Sequence, residues 1–125
     1  MYCIAFLAKN KLKPGVKTTA SGLQYEVISE GTGSKLAIED TFVVNYRGTL
    51  LNGFEFDASS RRGQPLVMPV TGVIKGWTEG LQLMKAGSKY KFFIPPELGY
   101  GEGGAGATIG PNAALIFEVE LLKVN

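Results

Sequence analysis

The segment Val73-Ile74-Lys75-Gly76-Trp77-Thr78-Glu79-Gly80-Leu81 carries the only tryptophan of a chain that contains no histidine. Phe56-Asp57 lies upstream of it, and Tyr100 and Phe117 lie downstream. Aromatic residues gather around the tryptophan from these distant segments. They describe an apolar cup with very few polar groups. Such a cup suits a reaction that needs no nucleophile, no metal and no strong acid or base.

The other chemistries open to a small protein are poorly served. Without histidine there is no Ser-His-Asp triad and no His-based zinc site. Cys3 is the single cysteine, so no internal disulfide forms, and no imidazole is at hand to activate its thiol. Gly99-Tyr100-Gly101-Glu102-Gly103-Gly104 satisfies the G-x-G-x-x-G pattern. That pattern cradles a pyrophosphate only between a strand and a helix N-terminus. Here Pro95-Pro96 precedes it and further glycines follow. Asp57 has two readings: an ion pair in a loop with Arg61 and Arg62, or a carboxylate at the rim of the cup. Trp77, Tyr46, Phe56, Tyr100 and Phe117 have two as well, plain core or lining of a site. The long segment from Gly99 to Gly110, with six glycines in twelve residues, favours a site, because loops of that length in small domains are usually functional or disordered.

The elements that would hold these residues are mostly strands. Leu23, Tyr25 and Val27 alternate with Gln24 and Glu26, the period of a half-buried strand. Thr41 to Leu51 is a long strand with Phe42, Val44, Tyr46, Gly48 and Leu50 on one face. Asn52-Gly53 is a strong hairpin signal, and Phe54 and Phe56 begin the return strand. Leu66 to Val70 reads as a short edge strand because of Pro69. Trp77, Gly80, Leu81 and Met84 form a helical stripe, and Gly87 is placed to end that helix or to turn the chain after it. Tyr90, Phe92 and Ile94 alternate up to Pro95-Pro96. Leu115, Phe117, Val119 and Leu121 alternate with Glu118 and Glu120 in a closing strand. The pattern predicts four to six strands, mostly antiparallel, with one short helix able to cover one sheet face.

At 125 residues the chain makes one domain with a real core. Its net charge of +2 is unevenly spread. Lys9, Lys11, Lys13 and Lys17 stand without an acid in the first 25 residues, and the remainder is slightly acidic. The domain proper is therefore no nucleic-acid binder by charge. No apolar run approaches the length of a membrane span, so no membrane insertion is expected. The opening residues make a poor signal peptide. The chain as written reads as cytoplasmic, with the periplasm or cell envelope as the alternative. Residues 1–19 read as the remnant of an N-terminal helix followed by a basic linker, and residues 20–125 as the domain.

Five motifs then agree in order and spacing with one family: Val44-Asn45-Tyr46-Arg47-Gly48, Gly53-Phe54-Glu55-Phe56-Asp57-Ala58-Ser59, Val73-Ile74-Lys75-Gly76-Trp77, Leu98-Gly99-Tyr100-Gly101, and Leu115 to Leu122. Residues 20–124 resemble an FKBP-type peptidyl-prolyl cis-trans isomerase domain. The leader is similar to the macrophage-infectivity-potentiator-like bacterial branch, whose full members carry a dimerising N-terminal helical region. The resemblance implies an α+β fold, a curved antiparallel sheet of five to six strands wrapped around one short helix. It implies that Asp57, Tyr100, Ile74 and Tyr46 act on the rotating X-Pro bond. The Ile74 N–H and Tyr100 hydroxyl would hold substrate carbonyls, and Asp57 would be braced by Tyr46 and Arg62. Phe56, Leu66, Val73, Trp77, Ile109 and Phe117 would bind substrate, with Trp77 as the floor. No cofactor and no metal are implied. The implied partners are proline-containing polypeptides, with tacrolimus- and rapamycin-type macrolides as inhibitors. The chain is expected to be a monomer, or a dimer if a longer N-terminal helix precedes it. Leu66, Gly72 and Ala105 depart from the common eukaryotic pattern, which bears on substrate preference and macrolide affinity. The alternative function is a non-catalytic peptide-binding or chaperone module that uses the same cup.

Overall fold

A computed structural model describes residues 7–37, 39–50, 53–59, 63–95, 98–99 and 114–124. Seven strands form one antiparallel sheet: β1 (Val16–Thr18), β2 (Gln24–Ser29), β3 (Thr41–Leu50), β4 (Glu55–Ala58), β5 (Leu66–Pro69), β6 (Lys89–Ile94) and β7 (Leu115–Val124). Their order is β1-β2-β6-β7-β3-β4, with β5 also paired to β3. Strand β3 is the spine. It pairs with β7 from Phe42 opposite Val124 to Leu50 opposite Leu115. Its other edge is shared, with β5 against residues 41–44 and β4 against residues 47–49. Gly53 closes the β3–β4 turn at φ +90° and donates its N–H to the Leu50 carbonyl at 3.0 Å.

The alternation in β3, β6 and β7 is the alternation of burial. Phe42, Val44, Tyr46, Tyr90, Phe92, Ile94, Leu115, Phe117, Val119 and Leu121 are all buried. On the outer face the register sets Arg47 against Glu118 and Glu118 against Lys91, then Lys91 against Glu26. Opposite charges facing one another across strands add modestly to sheet stability.

Two neighbouring residues depart from the sequence pattern. Gln24 and Phe93 belong to the outer set, yet both are buried. They are cross-strand partners, and residues 7–10 form a helical turn tied to that row. Asn10, 1% exposed, donates from Nδ2 to Gln24 Oε1 at 2.8 Å, and Gln24 Nε2 donates to the Leu7 carbonyl at 2.9 Å. Strand β1 extends the sheet beyond the predicted strand count. It is three residues long, with little apolar content and no alternation to announce it.

The helix α1 spans Lys75–Leu81, seven residues. Two turns are marginal in isolation, so packing must hold it. Trp77 and Leu81 are buried against the sheet. Glycine permits the close approach: a Cβ on Gly76 would lie 2.8 Å from Ile94, and one on Gly80 would lie 2.6 Å from Phe92. The Thr78 hydroxyl donates to the Val70 carbonyl at 2.8 Å, fastening the helix to the 3-10 turn Val70–Gly72. The helix is shorter than its stripe. It stops at Leu81, and Met84 reaches the core from the following turn. Gly87, at φ +92°, turns the chain into β6 and donates its N–H to Leu121 O at 2.7 Å.

Tyr90 stacks on Tyr25 at 5.8 Å, and its hydroxyl donates to the Glu30 carboxylate at 3.2–3.3 Å. Burial first, and then the Glu30 charge, push the Tyr90 phenol up from 10.0 to about 12. An unfolded chain releases that proton before the folded one does. The contribution is therefore complete below pH 10.0 and disappears as pH rises toward about 12. Thermal melts at about pH 9 and about pH 11 should show a drop that Tyr90→Phe reduces. An equal drop in the variant would assign the alkaline loss to other groups.

Candidate functional site

One cavity of about 430 Å³ opens between α1 and the inner face of the sheet. Tyr46, Phe56, Asp57, Leu66, Gly72, Val73, Ile74, Trp77 and Phe117 line it. The structure thus brings together eight of the site residues expected above, from β3, β4, β5, β7, the entry to α1 and α1 itself. Gly72 joins them through its place beside Val73. Tyr100, Ile109 and Arg62 lie outside the described residues, as does the glycine-rich segment that contains Ala105.

The floor is a nest of rings. Trp77, 4% exposed, meets Tyr46 edge-on at 5.2 Å and 83°, and Phe117 at 5.1 Å and 88°. Phe42 backs it at 6.1 Å. Phe56 in turn stands edge-on to Phe117 at 5.5 Å and 88°. Edge-to-face pairs are worth about 0.5–1.5 kcal/mol each beyond the area they bury, so the four rings fix one another. Among the described residues the indole N–H of Trp77 has no hydrogen-bond partner. Such a group is costly in a plain core.

The polar side of the cup is small. The Tyr46 hydroxyl donates to Asp57 Oδ2 at 2.6 Å, and the Ala58 N–H donates to Asp57 Oδ1 at 2.9 Å. Asp57 is half-buried in β4 and belongs to the cavity wall. Ile74 is the N-cap of α1. Its carbonyl accepts the N–H groups of Trp77 and Thr78, both at 3.0 Å, while an N-cap's own N–H lies outside the helical ladder. The chemistry available is enclosure of an apolar group over rings, beside one oriented carboxylate.

Gly48 sits directly beneath the rings. A Cβ there would lie 2.6 Å from Phe117 Cε1 and 2.8 Å from Phe56 Cζ. Gly48→Ala is expected to cost about 1–3 kcal/mol through overpacking and to displace both rings. Calorimetric Tm and near-ultraviolet circular dichroism check it. Unchanged values in both would mean that the rings have slack.

The fold and the cup define a class: an antiparallel sheet packed on a short helix, with a ring-lined cavity between them. The family model described as "FKBP-type peptidyl-prolyl cis-trans isomerase" matches residues 33–122, and that for the "domain amino terminal to FKBP-type peptidyl-prolyl isomerase" matches residues 3–27. The chain belongs to the FKBP-type peptidyl-prolyl cis-trans isomerase family. It is 53% identical over 120 residues to the peptidyl-prolyl cis-trans isomerase Mip of Coxiella burnetii, covering 96% of this chain and 52% of that protein. The crystal structure of FkpA from Escherichia coli superposes with a TM-score of 0.95 at 48% identity, covering 99% of this chain and 58% of that one. A peptidyl-prolyl cis-trans isomerase from Pseudomonas syringae pv. tomato superposes with a TM-score of 0.94 at 40% identity, covering 99% of this chain and 91% of that one. The chain spans about half the length of the curated relatives it matches. Among the described residues no helix is long and apolar enough to cross a membrane.

Proposed function

We propose that this domain accelerates cis-trans rotation of X-Pro bonds in polypeptides by non-covalent stabilisation of the twisted amide. One observation carries the reading: an aromatic cup over Trp77 whose wall holds a carboxylate oriented by the Tyr46 hydroxyl. Amide resonance sets a rotation barrier of roughly 18–20 kcal/mol, and X-Pro bonds isomerise in about tens to hundreds of seconds unaided. The twisted amide has lost its resonance and is less polar across the C–N bond. A dry cup therefore favours it over the planar, solvated ground state, which is complementarity to the transition state.

The proline ring would lie on Trp77 among Tyr46, Phe56, Val73 and Phe117, with Leu66 at the β5 edge. Asp57 would face the carbonyl of the rotating bond. The Ile74 N–H would hold a neighbouring carbonyl. From the resemblance, the Tyr100 hydroxyl would hold another, Arg62 would brace Asp57, and Ile109 would close the cup. Holding the flanking carbonyls leaves the central bond as the one free to turn. Tacrolimus- and rapamycin-type macrolides would occupy the same cup. Residues 20–125 would be the isomerase domain, with residues 1–19 leading into it. A location in the cell envelope belongs to this reading; a relative 49% identical from Legionella longbeachae is named "Outer membrane protein MIP".

The test is a protease-free isomerisation assay on a Leu-Pro or Phe-Pro peptide, with and without rapamycin. Catalysis abolished by the macrolide is the expected result. Tight macrolide binding without catalysis would turn the reading to a holding module. Neither binding nor catalysis would overturn the roles given to the cup.

A further inference from the structure

Ser59 lies two residues beyond Asp57, outside the cavity lining, and is 5% exposed. Strand β4 ends at Ala58, which pairs with Arg47 of β3. One step further along β3 is Tyr46, and there the β4 chain has already left the ladder. The Tyr46 N–H points toward that gap in a buried position. Its acceptor is the hydroxyl of Ser59, at 3.0 Å. The same oxygen lies 3.4 Å from Asn45 Oδ1 and 3.4 Å from Tyr46 O, either of which takes its proton. A side chain thus stands in for a missing strand partner. A buried N–H without an acceptor is rare in folded proteins.

The consequence is a closed ring of bonds. Ser59 holds the backbone of Tyr46, the Tyr46 hydroxyl holds Asp57 Oδ2, and Asp57 Oδ1 takes the N–H of Ala58, the residue bonded to Ser59. Tyr46 is fixed at both ends of its side-chain lever, and so is the direction of the carboxylate. We propose that Ser59 is a positioning residue for isomerisation, acting through the Tyr46–Asp57 hydrogen bond without touching substrate. This rests on the isomerase reading above.

A double-mutant cycle tests it, because groups acting through a shared bond do not add. Wild type, Ser59→Ala, Tyr46→Phe and the double variant are compared by kcat/KM on an X-Pro peptide, with Tm followed by Trp77 fluorescence. Ser59→Ala is expected to lose about tenfold in kcat/KM, equivalent to about 1.4 kcal/mol. In the Tyr46→Phe background, where the phenol no longer reaches Asp57, it should lose less than about twofold. Ser59→Thr keeps the oxygen and should restore most of the activity. If Ser59→Ala does not fold, Ser59→Cys replaces it in the cycle, since sulfur is a weak acceptor. Equal losses in both backgrounds, or no loss in the first, would overturn the positioning role while leaving the isomerase reading intact. A wild-type chain with no isomerase activity would overturn the isomerase reading itself, and the role of Ser59 with it.

Discussion

Asp57→Ala should lower kcat/KM on an X-Pro peptide by about 30- to 100-fold, equivalent to about 2–3 kcal/mol of transition-state stabilisation. The magnitude follows from preorganisation. The carboxylate accepts the Tyr46 hydroxyl at 2.6 Å and the Ala58 N–H at 2.9 Å, so it is aimed before any substrate arrives. A charge held in a mostly apolar cup acts more strongly than the same charge in water. In the proposed binding mode it would face the place where the amide's polarity changes as the bond twists. Asp57→Asn keeps the shape and removes the charge, and it should lose most of the same activity. Macrolide affinity separates the explanations, because the rings would still be in place. Loss of catalysis with binding retained supports the electrostatic role. Full activity in Asp57→Ala would reduce the carboxylate to a structural partner of Tyr46.

Trp77→Ala should destabilise the domain by about 3–5 kcal/mol, the range for large buried aromatics. For a chain of this size that corresponds to a fall in Tm of about 10–20 °C. The site cannot collapse to fill the space. Phe42, Tyr46 and Phe117 contact the indole from the sheet, and α1 is already drawn against β6 through its two glycines. Calorimetry is the suitable readout, since the variant has no tryptophan left to report. Isomerase activity should fall to near background in the same protein. Trp77→Phe keeps an aromatic floor and should recover part of both. A fall in Tm of less than about 3 °C would mean that the floor is not the keystone of the core.

Much of this was legible in residue order because it depends on local periodicity. Side chains alternate across a strand by geometry, so the inner faces of β3, β6 and β7 could be read directly from Phe42 to Tyr46, Tyr90 to Ile94 and Leu115 to Leu121. Asn52-Gly53 announced the hairpin, and the spacing of Trp77, Gly80 and Leu81 announced the helix. The lack of histidine narrowed the chemistry, and the five motifs pointed to the family.

Other features are properties of pairs of residues far apart in the chain. Residue order left Asp57 open between loop ion pair and cup carboxylate; the fold sets it in the cavity wall with Oδ2 on the Tyr46 hydroxyl. Ser59 is the last residue of a family motif in residue order; the early end of β4 leaves the Tyr46 N–H for its hydroxyl to satisfy. Gln24 followed the outer-face pattern, yet it is buried and bonded to Asn10 and Leu7, which lie far from it in the chain. The sequence alone determined which residues of β3, β6 and β7 face inward and which side chains are on hand for chemistry, because those follow from side-chain type and local period. The tertiary structure alone decided the strand order β1-β2-β6-β7-β3-β4 and which polar groups meet in the cup. Hydrogen-bond partners between strands are selected by long-range register, which no local pattern encodes.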